Sequence, residues 1–146
     1  MQARDSYVSD RRGRPKGSPH VLFVDDEPQM RQVVRSSLEG AGYRVTTCSH
    51  ATEAMAFYRE HHHDVDLVIV DMLMPGMSGL DALKRMKSVD PEARIVLASA
   101  YVPDQDSDDV MLHGFTDFLH KPFRTADLVA MAARYTGSQA EVVDET

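Results

Sequence analysis

A five-fold alternation constrains this chain more than any other feature. Brief apolar runs at Val21–Val24, Val45–Cys48, Leu67–Val70, Ile95–Ala98 and Phe118–Leu119 are each followed by a longer amphipathic stretch. The first, third and fourth runs are almost wholly apolar, as suits strands covered on both faces. Val45-Thr46-Thr47-Cys48 is half polar, as an edge strand would be. Between the runs, Met30, Val33, Val34 and Leu38 recur at helical spacing, as do Leu80, Leu83 and Met86, and later Leu128, Met131 and Ala132. Pro28 suits the first turn of a helix, and Gly40 with Gly42 suits its end. This alternation predicts a doubly wound α/β fold, a five-stranded parallel sheet with helices on both faces. Right-handed crossovers gather the C-terminal ends of the strands on one edge, where sites form. The fourth connection fits least well: Val102–Gly114 holds Pro103, four aspartates and only Val110, Met111 and Leu112 as an apolar group. A short or late-starting helix is expected there, its acids at the positive end.

The strand ends carry the chemistry. The first run ends in Asp25-Asp26, the third in Asp71, the fourth in Ser99 and the fifth in Lys121-Pro122. Three carboxylates, a hydroxyl and an amine are thus expected on one edge. Clustered carboxylates repel and raise one another's pKa. A hard divalent cation removes that conflict, and Mg²⁺ is commonly held by one or two carboxylates with waters and phosphate oxygens. The combination points to phosphoryl transfer, where catalysis is mainly positioning and charge neutralisation. Asp71 ends the central run and precedes the loop Met74-Pro75-Gly76-Met77-Ser78-Gly79, so it is the candidate nucleophile, able to form an aspartyl phosphate. Asp26, with Asp25 beside or behind it, would hold the metal. Lys121 would neutralise phosphate charge and Ser99 would donate to a phosphate oxygen. The aspartates at 104, 106 and 108 do not make a calcium loop, because Asp109 stands where the turn glycine belongs and Phe115 where the bidentate glutamate belongs. Nor is His61-His62-His63 read as a metal site, since consecutive residues at a helix end point in different directions.

Four segments together are recognisable: Val21-Leu22-Phe23-Val24-Asp25-Asp26-Glu27-Pro28, Asp71-Met72-Leu73-Met74-Pro75-Gly76-Met77-Ser78-Gly79, Ala98-Ser99-Ala100 and Asp117-Phe118-Leu119-His120-Lys121-Pro122-Phe123. Across nearly all of residues 20–136 the chain resembles the receiver domain of bacterial two-component response regulators, in a single-domain, chemotaxis-regulator-like form. The resemblance implies the flavodoxin-like strand order 2-1-3-4-5. It implies that Asp71 is the phosphoacceptor, charged from a phosphohistidine of a sensor kinase or phosphotransfer protein. Asp25 and Asp26 correspond to the acidic pair, and Asp26, Asp71 and the backbone carbonyl of Leu73 to the direct Mg²⁺ ligands. Ser99 stands at the Ser/Thr switch position, Lys121 at the family's lysine and Phe118 at the aromatic switch position, and a cis Lys121–Pro122 peptide is implied. On this reading Ser99 moves to meet a phosphoryl oxygen and Phe118 turns inward, biasing a two-state equilibrium that protein partners read. Phe118 lacks a phenolic hydroxyl, so it must act through packing. Asp127 is followed four positions later by Met131 rather than a base, which speaks against pairing through the last two helices; a monomer or weak dimer is expected. Leu73 and Tyr101 flank the path of an attacking water without a group to orient it, and slow self-dephosphorylation is expected.

The flanks differ in charge. Residues 1–19 carry five basic against two acidic side chains and are read as a mobile arm, while 137–146 form an acidic mobile tail. Arg11-Arg12-Gly13-Arg14-Pro15-Lys16-Gly17-Ser18 resembles an AT-hook, whose arginines, here Arg12 and Arg14, would enter the minor groove of A·T-rich DNA. The body between is acidic within a formal net charge of −7, so nucleic-acid contact is expected only through that arm. The lone Cys48 excludes an intramolecular disulfide and a four-cysteine zinc site, and no apolar run would span a bilayer. A cytoplasmic location is expected. The sequence thus reads as a single-domain response regulator, with a phosphorelay intermediate or a DNA-associated receiver as alternatives, and not as an enzyme beyond its own phosphorylation and dephosphorylation. A haloacid-dehalogenase-like phosphatase would need a second acid where Leu73 stands. A flavodoxin-like FMN binder would want a Gly/Ser/Thr loop where Asp25-Asp26-Glu27 stands, and the intact set of polar residues argues against a phosphate-independent scaffold.

Overall fold

In a computed structural model, which describes residues 17–72, 74, 76–100 and 114–137, five short strands lie parallel in one sheet of order β2-β1-β3-β4-β5. The strands are β1 (His20–Val24), β2 (Arg44–Cys48), β3 (Leu67–Asp71), β4 (Ile95–Ser99) and β5 (Asp117–His120). Among the described residues the helices are α1 (Pro28–Gly40), α2 (Ala51–His61), α3 (Gly79–Val89) and α4 (Thr125–Thr136), with a 3₁₀ turn at His62–Asp64. The doubly wound sheet and its order agree with the expectation from sequence. Residues 101–113 lie outside the described residues, and with them the helix expected in the fourth connection and Tyr101. So do Leu73, the tail from residue 138, and the arm to residue 16 with Arg12 and Arg14.

Alternation sorts the core. Leu22, Val24, Val68, Val70, Ile95 and Leu97 face α2 and α3 with Met55, Tyr58, Leu83 and Met86. Val21, Phe23, Leu67, Ile69, Val96 and Ala98 face the other way, against Val34 and Leu38 of α1 and Leu128 and Ala132 of α4. Burial of each large side chain contributes about 1.5–3 kcal/mol, which is why β1, β3 and β4 read as nearly unbroken apolar runs. Val33 departs from the expected stripe: it is 54% exposed. It neighbours the buried Val34, and one residue is about 100° of helix rotation, enough to carry a side chain off the core face.

Local chemistry sets the joints. Pro28 opens α1, and Gly42 (φ +99) takes a left-handed turn just after it. Ser78 caps α3 by accepting from the Asp81 amide at 3.1 Å. Gly79 is small for a different reason: a Cβ there would lie 2.9 Å from Leu97 Cδ1, 3.0 Å from the Asp71 carbonyl oxygen and 3.2 Å from Met72 Cα. Its amide donates to the Met72 carbonyl at 3.0 Å, so α3 begins hard against the end of β3. At the opposite end of the sheet His20 is buried, Nε2 2.8 Å from Thr46 Oγ1 and Nδ1 3.2 Å from Asp64 Oδ2, while Arg44 makes a two-pronged pair with Asp64. Along β2, Arg35 donates to the Val45 carbonyl at 3.1 Å and to Thr47 Oγ1 at 3.3 Å.

Candidate functional site

All the strand-end residues singled out by sequence lie on the C-terminal edge of the sheet. Parallel pairing puts Val24 beside Val70, Asp71 beside Ala98 and Ser99 beside His120, so Asp25, Asp71, Ser99 and Lys121 occupy consecutive strand ends. Carboxylate oxygens of Asp25, Asp26 and Asp71 all lie within 4.8 Å of one another. Lys121 Nζ is 2.6 Å from Asp25 Oδ2 and 3.4 Å from Asp71 Oδ1. The Lys121–Pro122 peptide is cis.

The three acids are held differently. Asp25 is 1% exposed and saturated with partners. Its Oδ1 accepts from the Glu27 amide at 2.9 Å, its Oδ2 from Lys121, its own amide donates to the Cys48 carbonyl at 3.1 Å, and its carbonyl accepts from Arg31 Nη1 at 2.9 Å. Asp26 is exposed, and its side chain makes no hydrogen bond among the described residues. Asp71 is nearly buried at the end of β3. Burial pushes the Asp71 carboxyl above the usual carboxylate range; the Lys121 ammonium opposes the rise, and the charges of Asp25 and Asp26 add to it. Burial works against the ammonium of Lys121, yet its hydrogen bond to Asp25 and the charges of Asp25 and Asp71 outweigh that and raise its pKa.

With one ammonium among three carboxylates, the pocket is under-compensated. A small, hard cation fits such a donor set: oxygen only, with Asp26 and Asp71 the acids least committed to other partners and Asp25 turned to Lys121. The pocket can therefore take a divalent cation and offer a carboxylate oxygen beside an ammonium to an incoming phosphoryl group. Ser99 is buried on the neighbouring strand end, and its carbonyl accepts from the Lys121 amide at 2.8 Å. Phe118 is half-buried on the α2–α3 side of the sheet, and its ring lies 6.4 Å from that of the exposed His120. The Leu73 carbonyl lies outside the described residues. Sequence reasoning missed Arg31, the Glu27 amide and the Cys48 carbonyl as supports of Asp25. The latter two are main-chain groups with no sequence signal, and an arginine six residues after Asp25 reads as part of a solvated helix face.

Comparison with known proteins shows the family of the chain. Residues 21–133 match the family model of the response regulator receiver domain. The chain is 37% identical over 117 residues to the chemotaxis protein CheY of Bacillus subtilis, covering 80% of this chain and 95% of that protein. It is 32% identical over 125 residues to the uncharacterized transcriptional regulatory protein YkoG of the same organism, covering 84% of this chain and 54% of YkoG. The chain thus spans about half the length of YkoG, and likewise 47% of the SaeR response regulator of Staphylococcus epidermidis. Among solved structures, the chemotaxis response regulator CheY4 of Vibrio cholerae superposes with a TM-score of 0.73 at 31% identity, covering 81% of this chain and 98% of that one. CheY in the CheX–CheY–BeF3–Mg complex of Borrelia burgdorferi superposes at 0.74 with 26% identity, covering 80% and 87%.

Proposed function

Because the chain belongs to the response regulator receiver family, we propose that it works as a Mg²⁺-dependent phosphoacceptor whose acceptor is Asp71 and whose output is a changed protein-interaction surface. The observation that carries this reading is the meeting of three carboxylates, two from the end of β1 and one from the end of β3, within 4.8 Å while one ammonium from the end of β5 reaches two of them.

In the proposed reaction a carboxylate oxygen of Asp71 attacks the phosphorus of a phosphohistidine on a sensor kinase or phosphotransfer protein. The new O–P bond forms as the P–N bond breaks, and the departing imidazole keeps that electron pair and takes up a proton. Mg²⁺, held by Asp26 and Asp71 with the Leu73 carbonyl, would supply charge neutralisation at the transferring phosphoryl. Lys121, tied down by Asp25, places its ammonium where a phosphoryl oxygen arrives, and the Ser99 hydroxyl donates to another. Ser99 then leaves space into which Phe118 turns, and a downstream protein reads the difference. We read the chain as acting by protein contact, in the cytoplasm, as a monomer or weak dimer. Onward transfer of the phosphoryl group to a second histidine protein is the alternative.

Incubation with Mg²⁺ and acetyl phosphate, followed by intact mass, tests the assignment. One phosphoryl adduct is expected on the parent and none on Asp71→Asn; equal uptake by the variant would overturn it. Chasing the labelled parent with a phosphotransfer protein separates a terminal switch from a relay intermediate.

A further inference from the structure

We propose that Arg31 is a positioning residue for the acidic pocket: its guanidinium, bonded to the Asp25 carbonyl, sets the Asp25–Asp26 peptide and so aims the Asp26 carboxylate. The proposal rests on the reading of Asp25, Asp26 and Asp71 as a divalent-cation site.

Arg31 is the fourth residue of α1, whose first is Pro28. A cation in the first turn opposes the positive end of the helix dipole. It also stands close to a pocket meant to attract a cation. Two electrostatic effects therefore disfavour this residue here, and local conflicts of that kind concentrate at functional positions. What offsets them is one charge-assisted hydrogen bond, Arg31 Nη1 to the Asp25 carbonyl at 2.9 Å, in partly buried surroundings.

That bond completes a set. The amide of Asp25 is taken by Cys48, and its two carboxylate oxygens by Glu27 and Lys121, which leaves the carbonyl as the group Arg31 fixes. The next residue, Asp26, has no such anchors: its exposed side chain makes no hydrogen bond among the described residues. Its direction depends on the peptide plane that carries it, and Arg31 is the side chain that holds that plane.

Charge alone and positioning predict opposite signs. Were Arg31 only a nearby positive charge, its removal would tighten binding of a cation. As a positioning residue, its removal weakens it. Mg²⁺ alone is titrated into the full chain by calorimetry, with thermal melting run in parallel, for the parent, Arg31→Met and Arg31→Lys. Arg31→Met is expected to bind Mg²⁺ about tenfold more weakly, the scale of a lost outer-shell contact, and Arg31→Lys, which keeps a donor and the charge, to recover most of that. Should Arg31→Met fail to fold, Arg31→Leu, which likewise lacks donor and charge, carries the same comparison. Parental or tighter affinity in the Met variant overturns the proposal, as does a lowered melting temperature with unchanged affinity. A parent that binds no Mg²⁺ overturns the reading of the pocket itself and takes this proposal with it.

Discussion

The Asp25–Lys121 pair decides how the site tolerates change. Both partners are largely withdrawn from water, Asp25 at 1% and Lys121 at 16% side-chain exposure. Bringing two charges out of water costs nearly what their attraction returns, so the pair adds little net stability. Breaking it is another matter, because the survivor stays buried without a counter-charge. Lys121→Met is expected to destabilise the fold by about 3 kcal/mol in urea unfolding, and adding Asp25→Asn is expected to recover most of that loss. If the double variant is no more stable than the single one, the cost lies elsewhere than in the stranded carboxylate. The candidate residues themselves were legible, because each ends an apolar run and the parallel arrangement dictates where such ends meet. Their partners were not: the sequence points to Asp26 as the metal-facing acid with Asp25 beside or behind it, but nothing in the adjacent letters says that Asp25 is saturated by the Glu27 amide and Lys121.

Among the elements, the seam between β3 and α3 leaves no room for a side chain at position 79. Alanine at position 79 would gain about 1 kcal/mol of helix propensity over glycine. Its methyl would also meet the Asp71 carbonyl oxygen at 3.0 Å and Met72 Cα at 3.2 Å, main-chain atoms that cannot rotate away. Overpacking of this kind typically costs about 1–3 kcal/mol, so the steric effect wins. Gly79→Ala is expected to melt at a lower temperature and to take phosphate from acetyl phosphate more slowly, through displacement of the Asp71 backbone. An unchanged melting temperature would mean that the seam has slack. Helical spacing predicted α1, α3 and α4 but placed Val33 on the buried stripe, since composition within a helix cannot resolve which edge of an apolar arc meets the sheet.

At the scale of the molecule, the two ends of β1 differ in their response to pH. At the end far from the pocket, burial, with the nearby Arg44 charge, pushes the His20 pKa below its usual value, against the opposing pull of Asp64. A histidine whose pKa falls on folding favours the native state while it is neutral. That contribution is complete above the unfolded value near 6.5 and is lost as pH falls below it. Asp71, with its raised pKa, acts in the opposite sense, since protonating it relieves the native state. The comparison is therefore cleanest in an Asp71→Asn background. There, urea stability is expected to fall as the pH is lowered from 7 to 5.5, and His20→Gln is expected to flatten that fall. This network had no signature in the chain, because His20, Arg44, Thr46 and Asp64 are isolated polar letters that only strand pairing brings together. The sheet as a whole was readable for the reverse reason: its central strands cannot be built from anything but consecutive apolar residues. Arg35, finally, occupies the outward carbonyl of β2 with a side chain of the same molecule. An outside strand seeking to lengthen the sheet on that margin would first have to evict a guanidinium, so self-association by sheet extension is discouraged there without any sacrifice of the margin's own residues.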